Sequence, residues 1–167
     1  MSREIKFRGR DIRTGNWLYG DLRRLEDRTL IIPTGENAFK ASIDDCVHPN
    51  SIGQFTGLHD MEDIDIYEGD IVEWVFFYYE AECLHKGVIE WYQGGFAFNV
   101  IDNDIHDAGW YGISDLNTDT GSDVRIIGNI YDNPNLIPNY MPIEDRLKRL
   151  YSEIPVEDRN TDTVLNL

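Results

Sequence analysis

The side chains best suited to chemistry fall in three short stretches of this 167-residue chain. Cys46-Val47-His48 and Cys83-Leu84-His85 each set a thiol and an imidazole two residues apart, which on a strand puts both on one face. Together the two pairs could offer the four ligands of a zinc site. Cys-x-His is not the usual zinc spacing, however, and nothing in the sequence brings the two stretches together. Two half-buried thiols are the expectation, and no metal is assigned.

Asp102, Asp104 and His106 could hold a hard cation and, with it, support a metal-dependent hydrolase. The stretch lacks the sixth-position glycine and the closing glutamate of a calcium loop, so an acidic, solvated loop is expected. Glu68 and Asp70 flank Gly69 and could work as an acid–base pair. Turn chemistry is the simpler role: Gly69 takes a backbone shape others avoid, and Asp70 bonds nearby amides. His59 beside Asp60 is too ordinary an arrangement to read as a general base. There is no Ser/His/Asp arrangement, P-loop or dinucleotide fingerprint. No catalytic, cofactor-binding or metal-binding residue is therefore assigned, and the chain is read as non-enzymatic.

The elements that must position these groups are short and mostly β. Ile64 to Trp74 reads as a tight turn feeding a strand, with Val124 to Tyr131 as its partner, and the two are candidates for the closing strands of a small barrel. Ile5-Lys6-Phe7-Arg8 alternates apolar and charged, as a half-buried strand does. Trp17–Leu22 and Thr29–Ile32 follow, the latter stopped by Pro33, with a weaker edge strand from Phe39 to Val47. Ile52–Leu58 is another strand, and Ile66 to Tyr79 the long one. Gly87–Tyr92 and Phe96–Ile101 flank Gln93-Gly94-Gly95 as a hairpin. Ile143, Leu147, Leu150, Tyr151 and Ile154 mark one face of a helix that follows Pro142 and ends at Pro155; residues 157–167 are expected to fray. The helix either caps the barrel or packs on another subunit.

Composition narrows the partners. The chain carries 31 acidic and 15 basic side chains, a net −16, a field that disfavours direct binding to nucleic acid. Residues 1–30 hold +3, and the remainder −19. That basic segment could clamp onto the acidic body or join subunits head to tail, but solvated strand faces are the simpler expectation. Two cysteines make no disulfide framework and suit a reducing cytoplasm. No signal peptide or membrane span is read from the sequence. Trp74-Val75-Phe76-Phe77-Tyr78-Tyr79 is apolar on both faces and must be covered twice, which points to an oligomer.

Four blocks carry a family resemblance: Arg3-Glu4-Ile5-Lys6-Phe7-Arg8, Gly53-Gln54-Phe55-Thr56-Gly57-Leu58, Ile66-Tyr67-Glu68-Gly69-Asp70-Ile71-Val72, and Ile127-Gly128-Asn129-Ile130-Tyr131-Asp132-Asn133-Pro134. In this order, over residues 3–137, they resemble the YopX-like family of phage and prophage proteins, which has no established activity. Asp60-Met61-Glu62-Asp63 stands where the family often has an Asp-Lys-Asn-Gly type turn. The helix past Pro142 extends beyond the family's usual end. The resemblance implies a β-rich N-terminal part (1–50) and an SH3-like barrel (51–138); with the C-terminal helix and tail read from the periodicity (139–167), the expected fold is mainly β with a minor α part. The resemblance also suggests self-assembly and names no catalytic residue. The expected function is a cytoplasmic protein of phage or prophage origin that forms a homo-oligomer and binds a host or phage protein. An acidic decoy of a nucleic-acid-binding host protein is the alternative, and the hydrolase a weaker one.

Overall fold

The structure, a computed structural model, describes residues 4–34, 46–78, 81–101, 110–116 and 123–153. It is mainly β: two five-stranded antiparallel sheets and one helix. The first sheet is built from β1 (Phe7–Arg10), β2 (Trp17–Arg24), β3 (Thr29–Ile32), β4 (Gly53–His59) and β5 (Asp65–Tyr67), in the order β3-β2-β1-β4-β5. It therefore draws two strands from beyond residue 50, with Phe7 opposite Gln54 and Arg8 opposite Gly53.

The second sheet holds β6 (Asp70–Tyr78), β7 (Ala81–Tyr92), β8 (Gly95–Val100), β9 (Trp110–Gly112) and β10 (Asp123–Asn129), in the order β10-β6-β7-β8-β9. The expected pairing of the two apolar runs is present, Asp123 to Asn129 running antiparallel to β6. The sheet stays open, because β9 and β10 lie at opposite edges and no pairing among the described residues joins them. The expected hairpin at Gln93-Gly94 is also present, with φ of 47° and 85° there, the left-handed pair that matches strand twist.

The run expected as one long strand from Ile66 is divided. β5 belongs to the first sheet and β6 to the second, and the chain crosses between them at Glu68-Gly69. Gly69 turns with φ +83°, a conformation that a side chain makes costly. Its N–H donates to Ile89 O at 2.8 Å, and its carbonyl accepts from Ile130 N at 2.9 Å. The crossing is thus pinned to β7 and to the residue that follows β10.

That sheet carries a buried cluster on each face, while Leu84 and Trp91 of β7 stay exposed. One face packs Val72, Trp74, Ile89, Phe98, Val100 and Val124 together with Ile66 of the first sheet. The other packs Ile71 and Val88 under Ile137, with Ile127, Ile130 and Tyr140 around them. The second covering of β6 at Ile71 comes from the chain's own C-terminal region; the side chains of residues 76–79 lie outside the described set.

α1 (Ile143–Glu153) forms where the periodicity places it. Glu90 of β7 accepts the Ile143 amide at 2.9 Å, which satisfies one of the donors that a helix start leaves open and sets a negative charge at the positive end. Glu90 also accepts from the Asn99 side chain. Asn99 donates to Met141 O at 2.9 Å and accepts from Arg146, which reaches on to Val100 O at 3.2 Å. The helix is therefore seated on the second sheet of its own chain. No helix among the described residues is long and apolar enough to cross a membrane. Of the edge strand expected from Phe39 to Val47, residues 39–45 lie outside the described residues, as does the tail after 153, while Cys46 and Val47 form isolated bridges to Leu30 and Asp11.

Candidate functional site

Lys6, Arg8 and Arg10 recur every second residue, so they share one face of the first strand. Each meets an aspartate from much later in the chain. Lys6 Nζ lies 2.8 Å from Asp65, Arg8 Nη1 2.6 Å from Asp70, and Arg10 Nη1 2.9 Å from Asp132. The expectation of solvated basic faces is corrected here, since three of the eight N-terminal cations hold the chain together. Burial does not follow the apolar–charged alternation: Arg8 is 6% exposed while apolar Ile5 is 61% exposed, and on the opposite face Gly9 is buried and Phe7 half-buried.

Arg8 is the hub. Its Nη2 donates to Glu68 O at 3.1 Å, and its guanidinium lies 4.7 Å from the Trp17 ring centroid and 5.1 Å from that of Tyr67, within range of cation–π attraction. Asp70, 1% exposed, uses its second oxygen to accept the Tyr67 amide at 2.8 Å. The expected turn role of Asp70 is present, and the ion pair is added to it. Gly53 makes room for this arrangement: an added Cβ would stand 2.4 Å from Glu68 O and 3.6 Å from Arg8 Nε. That Nε is buried with no hydrogen-bond partner among the described residues, a cost the other contacts must offset.

An outer layer surrounds the hub. Asp132 accepts from Trp17 Nε1 at 2.9 Å and from the Asn129 side chain at 3.0 Å. Tyr131 donates to Asn50 O at 2.5 Å and its ring lies 5.7 Å from that of Trp17. Asp60 N-caps the β4–β5 turn by accepting the Glu62 and Ile64 amides at 2.9 and 3.0 Å. Asp63 holds φ +64°, a left-handed shape that favours glycine and is tolerated by Asp. The same turn docks on the outer edge of β10 through Met61 N to Val124 O at 2.9 Å. All four blocks that carry the family resemblance thus meet around Arg8 and Asp70.

Burial pushes the Asp70 carboxyl upward, against the pull of Arg8 and the Tyr67 amide, and burial likewise raises Glu68. Hydrogen bonds from Asn129 and Trp17 hold Asp132 below the ordinary carboxylate range. Burial and the neighbouring Asp65 push the Tyr67 hydroxyl well above its usual value. The signs of the pH dependence follow. A depressed folded value makes Asp132 stabilising above its unfolded value, and that stability is lost as the pH falls through the folded one. Asp70 and Glu68 act oppositely, gaining stability as they protonate. Asp132→Asn is therefore expected to flatten the acid side of a plot of melting temperature against pH. An unchanged acid limb in that plot would show that Asp132 does not contribute.

Between the sheets a pocket of about 460 Å³ is lined by Arg8, Trp17, Tyr19, Tyr67, Ile64 and Ile126, with Asp65, Asp70 and Asn129 also on its wall. A volume of this size suits a small ligand or one or two side chains. Each charged group on that wall is already in an ion pair. Asp65 also accepts from Tyr67 at 3.2 Å and lies 3.1 Å from His59. The three rings Trp17, Tyr19 and Tyr67 beside these paired charges suit this wall to binding.

The remaining sequence candidates do not assemble. Cys46 is bridged to Leu30 in the first sheet, whereas Cys83 and His85 are on β7 of the second. His48 is exposed, while His85 packs 6.2 Å from Trp74 and 6.1 Å from Tyr111. Among the described residues no cluster of three His, Cys, Asp or Glu could hold a metal. Asp102, Asp104 and His106 lie outside them. Sequence reasoning missed Arg8, although the alternation of Lys6, Arg8 and Arg10 was there to be read as one face.

Comparison with known proteins adds the lineage. The family described as YopX protein matches residues 6–138. No curated protein matches. A crystal structure of a protein from Enterococcus faecalis is 22% identical with a TM-score of 0.43, covering 81% of this chain and 99% of that one.

Proposed function

From its place in the YopX family, to which this chain belongs, we propose that it is a non-enzymatic protein of phage or prophage origin, acting in the host cytoplasm. In this reading it assembles with itself and binds another protein. The observation that carries it is the site itself. Its ionic groups are spent on one another, and most of what is left facing the pocket is the ring and aliphatic surface of Trp17, Tyr19, Tyr67, Ile64 and Ile126. Support for assembly comes from Leu84, 55% exposed on the central strand β7 opposite the half-buried Val75. An apolar pair of this kind on a sheet face gains from being covered by a second copy.

The test is solution mass by light scattering after size exclusion, for the intact chain and for Leu84→Glu. A multimer that shifts to monomer in the variant supports assembly through the second sheet. A monomer in both, at every concentration, overturns assembly and favours the decoy. Deleting the helix is a poorer test, since removal of Ile143 and Arg146 also uncovers Glu90 and Asn99 and would report loss of folding.

A further inference from the structure

We propose that the pocket between the sheets receives one uncharged aromatic side chain from a partner protein. The inference rests on the reading of the chain as a protein-binding module and names the group that it captures. Three rings supply the wall: Trp17, Tyr19 and Tyr67. Tyr19 and Tyr67 already meet at 5.6 Å in a tilted arrangement, and a further ring can extend the set edge to face.

Charge selects against ionic guests. Arg8 is paired with Asp70, and Asp65 with Lys6 and His59. A charged guest would lose its water and find no free counter-charge. A neutral ring loses little on entry and gains from the apolar contact. The Tyr19 hydroxyl, which has no hydrogen-bond partner among the described residues, offers one hydrogen bond to a guest that carries a polar atom.

Surface beyond the pocket favours a side chain over a free small molecule. Tyr19 and Ile64 line the pocket yet are each 50% exposed, and Met61 continues the exposed apolar surface in the same turn as Ile64. A free ring would leave that rim uncovered. A peptide carrying the ring would lie across it.

The experiment is a titration of the intact protein followed by NMR, with the indole N–H of Trp17, which is bonded to Asp132, as reporter. The probes are N-acetyltyrosinamide, N-acetylargininamide and adenosine. Saturable shifts with the tyrosine probe, at a dissociation constant on the order of 1 mM, are the expected result. Tyr19→Ala should weaken that binding roughly tenfold, about 1.4 kcal/mol. Exposed Trp91→Ala, placed on β7, should leave it unchanged. No shift with the tyrosine probe overturns the proposal, as does preference for the arginine probe or for adenosine. Because the solution mass does not enter, a failure here is separate from a failure of assembly.

Discussion

Asp70→Ala is expected to destabilise the folded chain by about 3–5 kcal/mol, the range for removing one partner of a buried ion pair. The substitution leaves the Arg8 guanidinium buried without its counter-charge, and the Tyr67 amide without its acceptor. Relief is blocked on two sides, because Arg8 lies between the Trp17 and Tyr67 rings and against Glu68 O. Asp70 also sits where the chain crosses from the first sheet to the second, so both sheets feel the change. Removing both charges is a different matter. Arg8→Met combined with Asp70→Leu should recover much of the loss, since burial already opposes the charged form of Asp70 and an apolar pair needs no desolvation. Urea unfolding of the unsubstituted protein and of these two variants is the measurement. A loss below about 1 kcal/mol for Asp70→Ala would mean that the pair behaves as a surface bridge.

Glu90→Ala should be the next largest loss, about 3 kcal/mol, from two hydrogen bonds to a charged group at roughly 1.5–3 kcal/mol each, reduced by local relaxation. One bond holds the Ile143 amide and the other the Asn99 side chain. Asn99 is fully buried and also binds Met141 and Arg146, so its remaining contacts lose a fixed partner. Tyr140 is then freer to leave the face formed by Ile71 and Val88, and the buried Ile143 loses the anchor of its amide. Amide exchange should speed most at 143–146, with β1 to β3 nearly unaffected. Uniform acceleration throughout the chain would instead mean that the helix and both sheets open as one unit.

The residues differ in how much they disclosed. Gly69 and the Gln93-Gly94 pair could be read because a turn depends on its own few residues. The helix from Ile143 was equally legible, its stripe following from the period alone. Arg8 was not. Its neighbours Ile5 and Phe7 suggested an apolar face turned inward, whereas the structure buries Arg8 as well and leaves Ile5 exposed. Alternation states that a strand has two faces; it does not state which is covered. That depends on Asp70, 62 residues away, and on Trp17 and Tyr67. Likewise, a run apolar on both faces told only that β6 needs two covers. The sequence by itself determined the local elements, the family and the mainly β character, because each rests on short-range pattern. Only the tertiary structure decided that the long run divides between two sheets, that the basic start clamps onto later aspartates, and that the C-terminal helix seats on Glu90. Those outcomes depend on contacts between distant segments, where burial selects the partner that offsets each lost hydration shell.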